Sequence, residues 1–407
     1  MSEAHLRSFR IHAPVPLIPT VCELLQSEGF RFCQEPFSTY CYRLQEEPTA
    51  LGSSLAAFFG YIYIQDRSSM LPPLALAPKA QEAVLDMCAS PGSKTSFLGQ
   101  LKEQQGLVLA NEPNATRLAT LRANLQRLGL LNAATCSYEG QKLPLKAQSF
   151  DAIQLDPPCS GWGTVEKNPK VLQIWHGDKI KGLTGLQRAL LRKAHELLKP
   201  GGRLLYSTCT TNPAENEEQV RFAVEELGFV CRTIPAFPGF VFDQPWPGTL
   251  LVRGEESQAQ GFFLALLSKA HESSTPDPTP SLKLPGYELR VDTPLPPGRT
   301  ICINDKIYFV PKICDLIVPE KFTWRGSYLG QLKGGHLQLQ WRYKSYQISP
   351  PKPSQDLILD DPLALKALLQ GQSRTCSLRQ KEARLFFKDL PLGLVRIKNS
   401  RIVASFR

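Results

Sequence analysis

The chain has 407 residues, a formal net charge of +10, and 42% hydrophobic against 21% charged residues. That is an ordinary globular composition, long enough for two or three domains. No apolar run approaches the ~18–20 residues of a membrane helix, and Met1-Ser2-Glu3-Ala4-His5 lacks the charged-then-apolar pattern of a signal peptide. Eleven cysteines without a Cys-x-x-Cys pair fit a reducing cytoplasm rather than a disulfide scaffold, and the six histidines form no metal-binding constellation.

Residues 1–80 read as a mostly helical N-terminal region. From 81 to 270 strand and helix signals alternate. Glu82-Ala83-Val84-Leu85-Asp86-Met87 is a short apolar run, followed by a Pro/Gly loop and a helical stretch to about residue 104. Gly106-Leu107-Val108-Leu109-Ala110 is a second buried strand. Asn114 caps the next helix, where Leu118, Leu121, Leu125 and Leu128 recur at three- and four-residue spacing until Gly129 ends it. A strand follows at 150–156 and a helix at 184–198, after which Pro200-Gly201-Gly202 turns into a strand over 203–207; residues 261–267 close the sheet. The alternation implies an α/β fold with a doubly wound, mostly parallel Rossmann-like sheet, whose ligands lie beyond the carboxyl ends of the strands.

A Ser/Thr/Pro-rich linker occupies 271–285, and beyond it 286–407 reads as a small β-rich domain. Ile301-Cys302-Ile303 and Ile307-Tyr308-Phe309 flank an Asn304-Asp305 turn. Charge is uneven: residues 1–270 hold 26 basic against 25 acidic residues, whereas 271–407 hold 21 against 12. The asymmetry points to a polyanionic partner met by the C-terminal part, or to a merely soluble basic domain.

The first strand exits into Asp86-Met87-Cys88-Ala89-Ser90-Pro91-Gly92-Ser93-Lys94-Thr95. This is neither the GxGxxG fingerprint nor a P-loop, yet its small residues let the backbone approach a nucleoside cofactor. Glu112 ends the second strand, where a carboxylate either binds ribose hydroxyls or meets solvent. Leu155-Asp156-Pro157-Pro158-Cys159-Ser160-Gly161 and Tyr206-Ser207-Thr208-Cys209-Thr210 leave the carboxyl ends of two further strands. Parallel strands bring Cys159 and Cys209 to one edge, beside the cofactor loop. Either thiol alone reads as a small buried hydrophobe; two of them with Asp156 are hard to explain by packing.

These three stretches, with Asn212-Pro213-Ala214-Glu215-Asn216-Glu217-Glu218 after the last, resemble the Sun-type (Fmu-type) RNA 5-methylcytosine methyltransferases over about residues 55–268. Tyr63-Ile64-Gln65-Asp66-Arg67-Ser68-Ser69-Met70-Leu71-Pro72-Pro73 is similar to the stretch before the cofactor loop in the bacterial 16S rRNA branch. The tail with Pro391-Leu392-Gly393-Leu394 more loosely resembles that branch's PUA-like RNA-binding region. The resemblance implies S-adenosylmethionine as methyl donor. It implies that Cys88, Ala89, Ser90, Pro91, Gly92, Ser93 and Lys94 form the cofactor loop, that Glu112 holds the ribose and that Glu139 lies near adenine. Asp156 would sit between cofactor and base. Two departures are visible: Glu139-Gly140 stands where the family usually has Asp-Gly, and Ser93-Lys94-Thr95 where it often has Gly-Lys-Thr.

Cytosine carbon 5 is a poor nucleophile until a thiolate adds at carbon 6, so this chemistry is covalent catalysis. The resemblance assigns the nucleophile to Cys209 and help in releasing the product to Cys159; the alternative is that Cys159 packs while water acts as base. Lys94 assists from the loop, or is a surface cation. Trp162 and Trp175 stack on an unstacked target base or belong to the core. Lys321, Arg325, Lys333, Arg342, Lys344, Arg396, Lys398 and Arg401 would track phosphates. The leading expectation is a cytoplasmic, monomeric, S-adenosylmethionine-dependent methyltransferase acting on 16S rRNA or the small ribosomal subunit, with no membrane partner. A tRNA enzyme of the same family and a non-catalytic ribosome-assembly factor are the alternatives. An exocyclic-amine methyltransferase commonly has an aromatic after Asp-Pro-Pro, where this chain has Cys159.

Overall fold

A computed structural model describes residues 7–165, 169–174, 177–270, 295–319, 321–334, 336–342 and 349–403. The expected linker lies outside these residues, as do Trp175 and Lys344.

The N-terminal region holds more than helix. Strands β1 (Ser8–Ile11), β2 (Arg31–Gln34), β3 (Cys41–Glu46) and β4 (Ile62–Ile64) form an antiparallel sheet in the order β2-β3-β1-β4. Beside it lie helices α1 (Ile18–Ser27) and α2 (Leu55–Phe58), while α3 (Leu71–Leu76) packs on the next sheet, where Leu71 and Leu76 meet Val84, Ala152 and Leu205. The expectation of a mostly helical region misses this sheet because its strands are short and do not alternate. β1 is buried on both faces and β2 half-exposed on both, so the period-2 signal that marks a strand is missing.

The middle of the chain folds as the alternation predicts. Strands β5 (Ala83–Asp86), β6 (Leu107–Asn111), β7 (Ala133–Cys136), β8 (Phe150–Leu155) and β9 (Leu198–Thr208) run parallel in the order β9-β8-β5-β6-β7. Helices α4 (Ser93–Leu101), α5 (Ala115–Leu128), α6 (Val171–Ile174) and α7 (Asp178–Leu197) connect them, and α8 (Glu217–Glu225) follows β9. In α5 the sequence signals are met residue by residue. The Asn114 side chain accepts from Arg117 N at 3.0 Å, Gly129 closes the helix at φ +71°, and Leu118, Leu121, Leu125 and Leu128 are buried. Each such leucine contributes about 2 kcal/mol of burial.

Antiparallel strands complete this sheet: β10 (Val230–Arg232), β11 (Phe242–Asp243), β12 (Leu250–Val252) and β13 (Phe262–Ser268), with β13 paired to β9. Among the described residues no helix is long and apolar enough to cross a membrane.

The described residues between 295 and 403 form two sheets. β14 (Gly298–Ile303) and β15 (Lys306–Pro311) are the expected hairpin, with Asn304 and Asp305 both at positive φ, +49° and +62°, as a two-residue turn of mirror-image hand requires. After α9 (Cys314–Ile317), the two-residue strand β16 (Trp324–Arg325) adds to the edge of the large sheet by pairing with β7. β17 (Ser327–Lys333) and β18 (His336–Leu339) then complete the first C-terminal sheet. The second comprises β19 (Leu357–Leu359), β20 (Arg374–Thr375), β21 (Glu382–Phe387), β22 (Leu390–Lys398) and β23 (Arg401–Val403), with α10 (Pro362–Leu369). It shares one core with the N-terminal sheet, where Leu365, Leu385 and Leu392 pack with Phe9, Leu24 and Leu25.

Candidate active site

β8 and β9 are neighbours in register, with Leu155 opposite Tyr206. The chain therefore leaves both strands at the same edge, and Cys159 Sγ lies 3.3 Å from Cys209 Sγ. The Cys159 thiol donating to Cys209 pulls the Cys209 pKa below that of an ordinary thiol. The Lys94 ammonium works in the same direction, against burial and Asp156. The same hydrogen bond, then burial, drives the Cys159 pKa well upward. The pair is thus polarised: Cys209 is the sulfur that ionises and Cys159 the one that keeps its proton.

Lys94 and Asp156 stand against this pair. Lys94 Nζ donates to Asp156 Oδ2 at 2.6 Å, and its ammonium sits 5.2 Å from the centre of the Phe262 ring. Burial works against the Lys94 charge, but Asp156, with Cys209 and Asp86 behind it, raises the pKa on balance. At 9% exposure Lys94 is not a surface cation. Ser207 Oγ donates to Asp156 Oδ1 at 3.1 Å and takes a hydrogen bond from Gln154 Nε2 at 3.2 Å, so both carboxylate oxygens are held.

A buried carboxylate joins the two cysteine loops. Glu215 is 0% exposed. Its Oε2 accepts from Ser160 N at 2.9 Å and Gln187 Nε2 at 3.1 Å; its Oε1 accepts from Asn212 Nδ2 at 3.0 Å and from Ser160 Oγ. Ser160 Oγ also lies 2.7 Å from Thr210 Oγ1, and Asn216 ties the other loop by accepting from Thr208 Oγ1 at 2.6 Å and donating to Thr210 O at 2.9 Å. Ser160 follows Cys159 and Thr210 follows Cys209, so this network sets the sulfur-to-sulfur distance. Sequence reasoning quoted Glu215 and Asn216 within a motif but gave them no role. The only signal for one was their place in that motif.

Gly163 brings a third loop in. Its N donates to Cys209 O at 3.0 Å, and a Cβ there would meet Gly261 O at 2.3 Å. Trp162, just before it, is half-buried, and its indole nitrogen has no hydrogen-bond partner among the described residues.

The cofactor side lies at the ends of β5 and β6. Gly92 takes φ +105°, a conformation open to glycine, so that α4 starts directly behind the small-residue loop. Asn111 Nδ2 donates to Met87 O at 3.1 Å and to Tyr138 O at 2.9 Å, fixing that loop to the stretch after β7; sequence reasoning did not single it out. Glu112 is 3% exposed; it accepts from Asn114 N at 2.9 Å and lies 3.3 Å from Arg117 Nε. Asp86 accepts from Thr95 Oγ1 at 2.6 Å, while its buried Oδ1 has no partner among the described residues. Burial raises the Asp86 pKa to about 6. Two buried carboxylates at adjacent strand ends, one with an orphan oxygen, suit a ligand that is a cationic nucleoside. Burial pushes the Cys88 thiol pKa far up, which leaves it inert. Glu139 is more than half exposed and pairs with Lys142 at 2.7 Å. Of the tail residues, Lys321, Arg325, Lys333, Arg396, Lys398 and Arg401 are exposed, and Arg342 is half-buried.

Comparison with known proteins now bears on this geometry. Residues 73–268 match the family described as 16S rRNA methyltransferase RsmB/F. The chain is 32% identical to the ribosomal RNA small subunit methyltransferase F of Shewanella amazonensis, over 86% of this chain and 80% of that protein. The chain belongs to the RsmB/F family of rRNA methyltransferases. The family uses S-adenosylmethionine, the donor that the resemblance implied. The protein of the same name from Pectobacterium atrosepticum is 35% identical over 70% of this chain, which spans 59% of that relative's length. Among solved structures, a methyltransferase homologue from Pyrococcus horikoshii is 34% identical, with a TM-score of 0.57 over 66% of this chain and 87% of its own. The structure of NSun6 from Pyrococcus horikoshii with SFG is 22% identical, with a TM-score of 0.59 over 66% of this chain and 91% of its own, and shows the shared fold.

Proposed function

We propose that this protein methylates carbon 5 of a cytosine in small-subunit rRNA, with Cys209 as a covalent nucleophile at carbon 6. The observation that carries the proposal is the oppositely polarised sulfur pair, 3.3 Å apart, against the Lys94–Asp156 ion pair.

A neutral thiol is only a few per cent ionised near pH 7. The Cys159 hydrogen bond and the Lys94 charge raise that fraction for Cys209. Addition of the Cys209 thiolate to carbon 6 forms the C–S bond and moves the ring electron pair toward carbon 5, which becomes nucleophilic. Asp156, fixed by Lys94 and Ser207, accepts hydrogen bonds from the exocyclic amine and the protonated ring nitrogen of the adduct, offsetting charge where it builds up. Bound S-adenosylmethionine supplies an electrophilic methyl group. Asp86 and Glu112 are the carboxylates that would hold its cationic and ribose parts, with residues 88–94 around them. Once carbon 5 carries the methyl, its proton passes to a water acting as base, the double bond reforms and the C–S bond to Cys209 breaks. Cys159 is the group beside that bond and returns a proton to the departing sulfur. The target base must be unstacked for Cys209 to reach it, and Trp162, next to both loops, is placed to receive a neighbouring base.

Nucleoside mass spectrometry of 16S rRNA and tRNA, from cells with and without the gene, tests the reading. Loss of 5-methylcytidine from the 16S fraction supports it. Loss from tRNA alone moves the substrate, and unchanged 5-methylcytidine in both overturns the reaction.

A further inference from the structure

A cavity of about 340 Å³ lies where the first C-terminal sheet meets the methyltransferase sheet. It is bounded by α5 and β7 on one side and by β15, β16 and β17 on the other. The seam is firm: β16 pairs with β7, and Ser327 Oγ donates to Leu130 O at 2.6 Å. Four cations line the cavity, Arg122 from the methyltransferase domain and Lys306, Arg325 and Arg342 from the C-terminal region; none of the described lining residues is acidic.

Their own partners do not use up this charge. Among the described residues Arg122 spends only Nε in a hydrogen bond, on Thr135 Oγ1 at 2.9 Å. Arg342 gives one nitrogen to Phe58 O at 2.7 Å and lies 4.2 Å over the Trp341 ring. Arg325 lies 5.5 Å over the Tyr308 ring, and among the described residues neither Arg325 nor Lys306 has a carboxylate or hydrogen-bond acceptor for its side chain. Burial, and then the charge of Arg325, lower the Arg122 pKa, so the folded protein tolerates mutual repulsion here. Tyr308 and Tyr328 add two aromatic rings, 5.6 Å apart and tilted by 59°.

We propose that this cavity binds a phosphodiester segment of the RNA substrate, holding one nucleotide by its phosphate on Arg122, Arg325 and Lys306, with its base against the half-buried Tyr328. Uncompensated cations with no carboxylate suit phosphate oxygens, and guanidinium forks match them in pairs. Aromatic faces accept any base. The site sits on the same sheet as the cysteines, with β7 three strands from β8 in the sheet order, about 15 Å across the sheet at the usual strand spacing. The inference rests on the RNA-methyltransferase reading and makes the C-terminal sheet and α5 one composite grip, rather than leaving the exposed basic tail to act alone.

The test is direct binding of in vitro transcribed 16S rRNA to the full chain, without methyl donor, across a salt series. Compared with wild type, Arg325→Gln and the Lys306→Gln/Arg325→Gln pair should weaken binding about tenfold and flatten the slope of log affinity against log salt by about 1 per charge removed. Melting temperature and S-adenosylmethionine affinity serve as controls for folding. Unchanged affinity and slope in a folded double variant overturn the proposal. So does tight binding of adenosine 5′-monophosphate or inorganic phosphate that Arg325→Gln abolishes while RNA affinity stays intact, because the site then belongs to a small anion. Since methyl transfer is not read, failure of the cytosine chemistry leaves this outcome legible.

Discussion

Replacing Glu215 by glutamine tests whether the network between the cysteine loops sets their chemistry. The carboxylate accepts from four donors, two at each oxygen. Glutamine keeps one acceptor oxygen and turns the other into a donor, so two of those groups face an N–H. Ser160 Oγ can rotate toward Thr210 Oγ1, 2.7 Å away, which leaves one buried donor unpaired. An unpaired buried donor costs about 1–3 kcal/mol, and the lost charge-assisted bonds add to it, while relief of carboxylate desolvation subtracts. The balance is a loss of about 2–3 kcal/mol. For a methyltransferase domain near 200 residues this lowers the melting temperature by about 5–10 °C. Catalysis should suffer more than stability: a shift of about 1 Å between reacting groups costs on the order of 10²-fold, and Ser160 is next to Cys159. The assay is single-turnover methyl transfer per folded molecule, with pH-dependent alkylation of Cys209 alongside. A folded Glu215→Gln protein with wild-type turnover and wild-type Cys209 reactivity would refute the reasoning, even if its melting point fell.

Other consequences can be measured separately. Cys209 should react with iodoacetamide at lower pH than an ordinary thiol, and Cys159→Ala should move that midpoint upward by removing the donor; an unmoved midpoint contradicts the polarised pair. Asp86 titrates near 6 when folded, against 3.8 for an aspartate in the unfolded chain, so its stabilising contribution is complete below 3.8 and is lost as pH rises through 6. In the ligand-free protein its buried charge then costs on the order of 3 kcal/mol at pH 7.5. Asp86→Asn should therefore melt higher than wild type at pH 7.5 but not at pH 4, while binding S-adenosylmethionine more weakly. Gly163→Ala places a Cβ 2.3 Å from Gly261 O and 2.9 Å from Cys209 O, both backbone atoms that cannot give way; a cooperative melt at the wild-type temperature would contradict that clash.

The sheet and the sulfur pair were legible for the same reason. Strand ends are marked locally, by apolar runs that stop at Pro, Gly and Asp, and parallel order then brings distant strand ends together without further information. Helix α5 was readable to the residue because both of its caps are local. The N-terminal sheet was not, since strands such as Ile62–Ile64 are too short to show a period. The division of the C-terminal stretch was also hidden: β16 is two residues long, and whether it joins β7 depends on the edge that β7 leaves open. Glu215 escaped for a related reason. Its donors sit at 160, 187 and 212, and no window of sequence contains them all. Glu139, which the resemblance places near adenine, is exposed and pairs with Lys142.

The central claim is that Cys209 bonds to the base and Cys159 is needed to let it go. Incubating Cys159→Ala protein with 16S rRNA and S-adenosylmethionine, then running a denaturing gel, reads it directly. The account predicts a slow-migrating protein–RNA adduct that accumulates in Cys159→Ala and vanishes in the Cys159→Ala/Cys209→Ala double variant. An adduct that survives loss of Cys209, or methyl transfer that continues without it, contradicts the account.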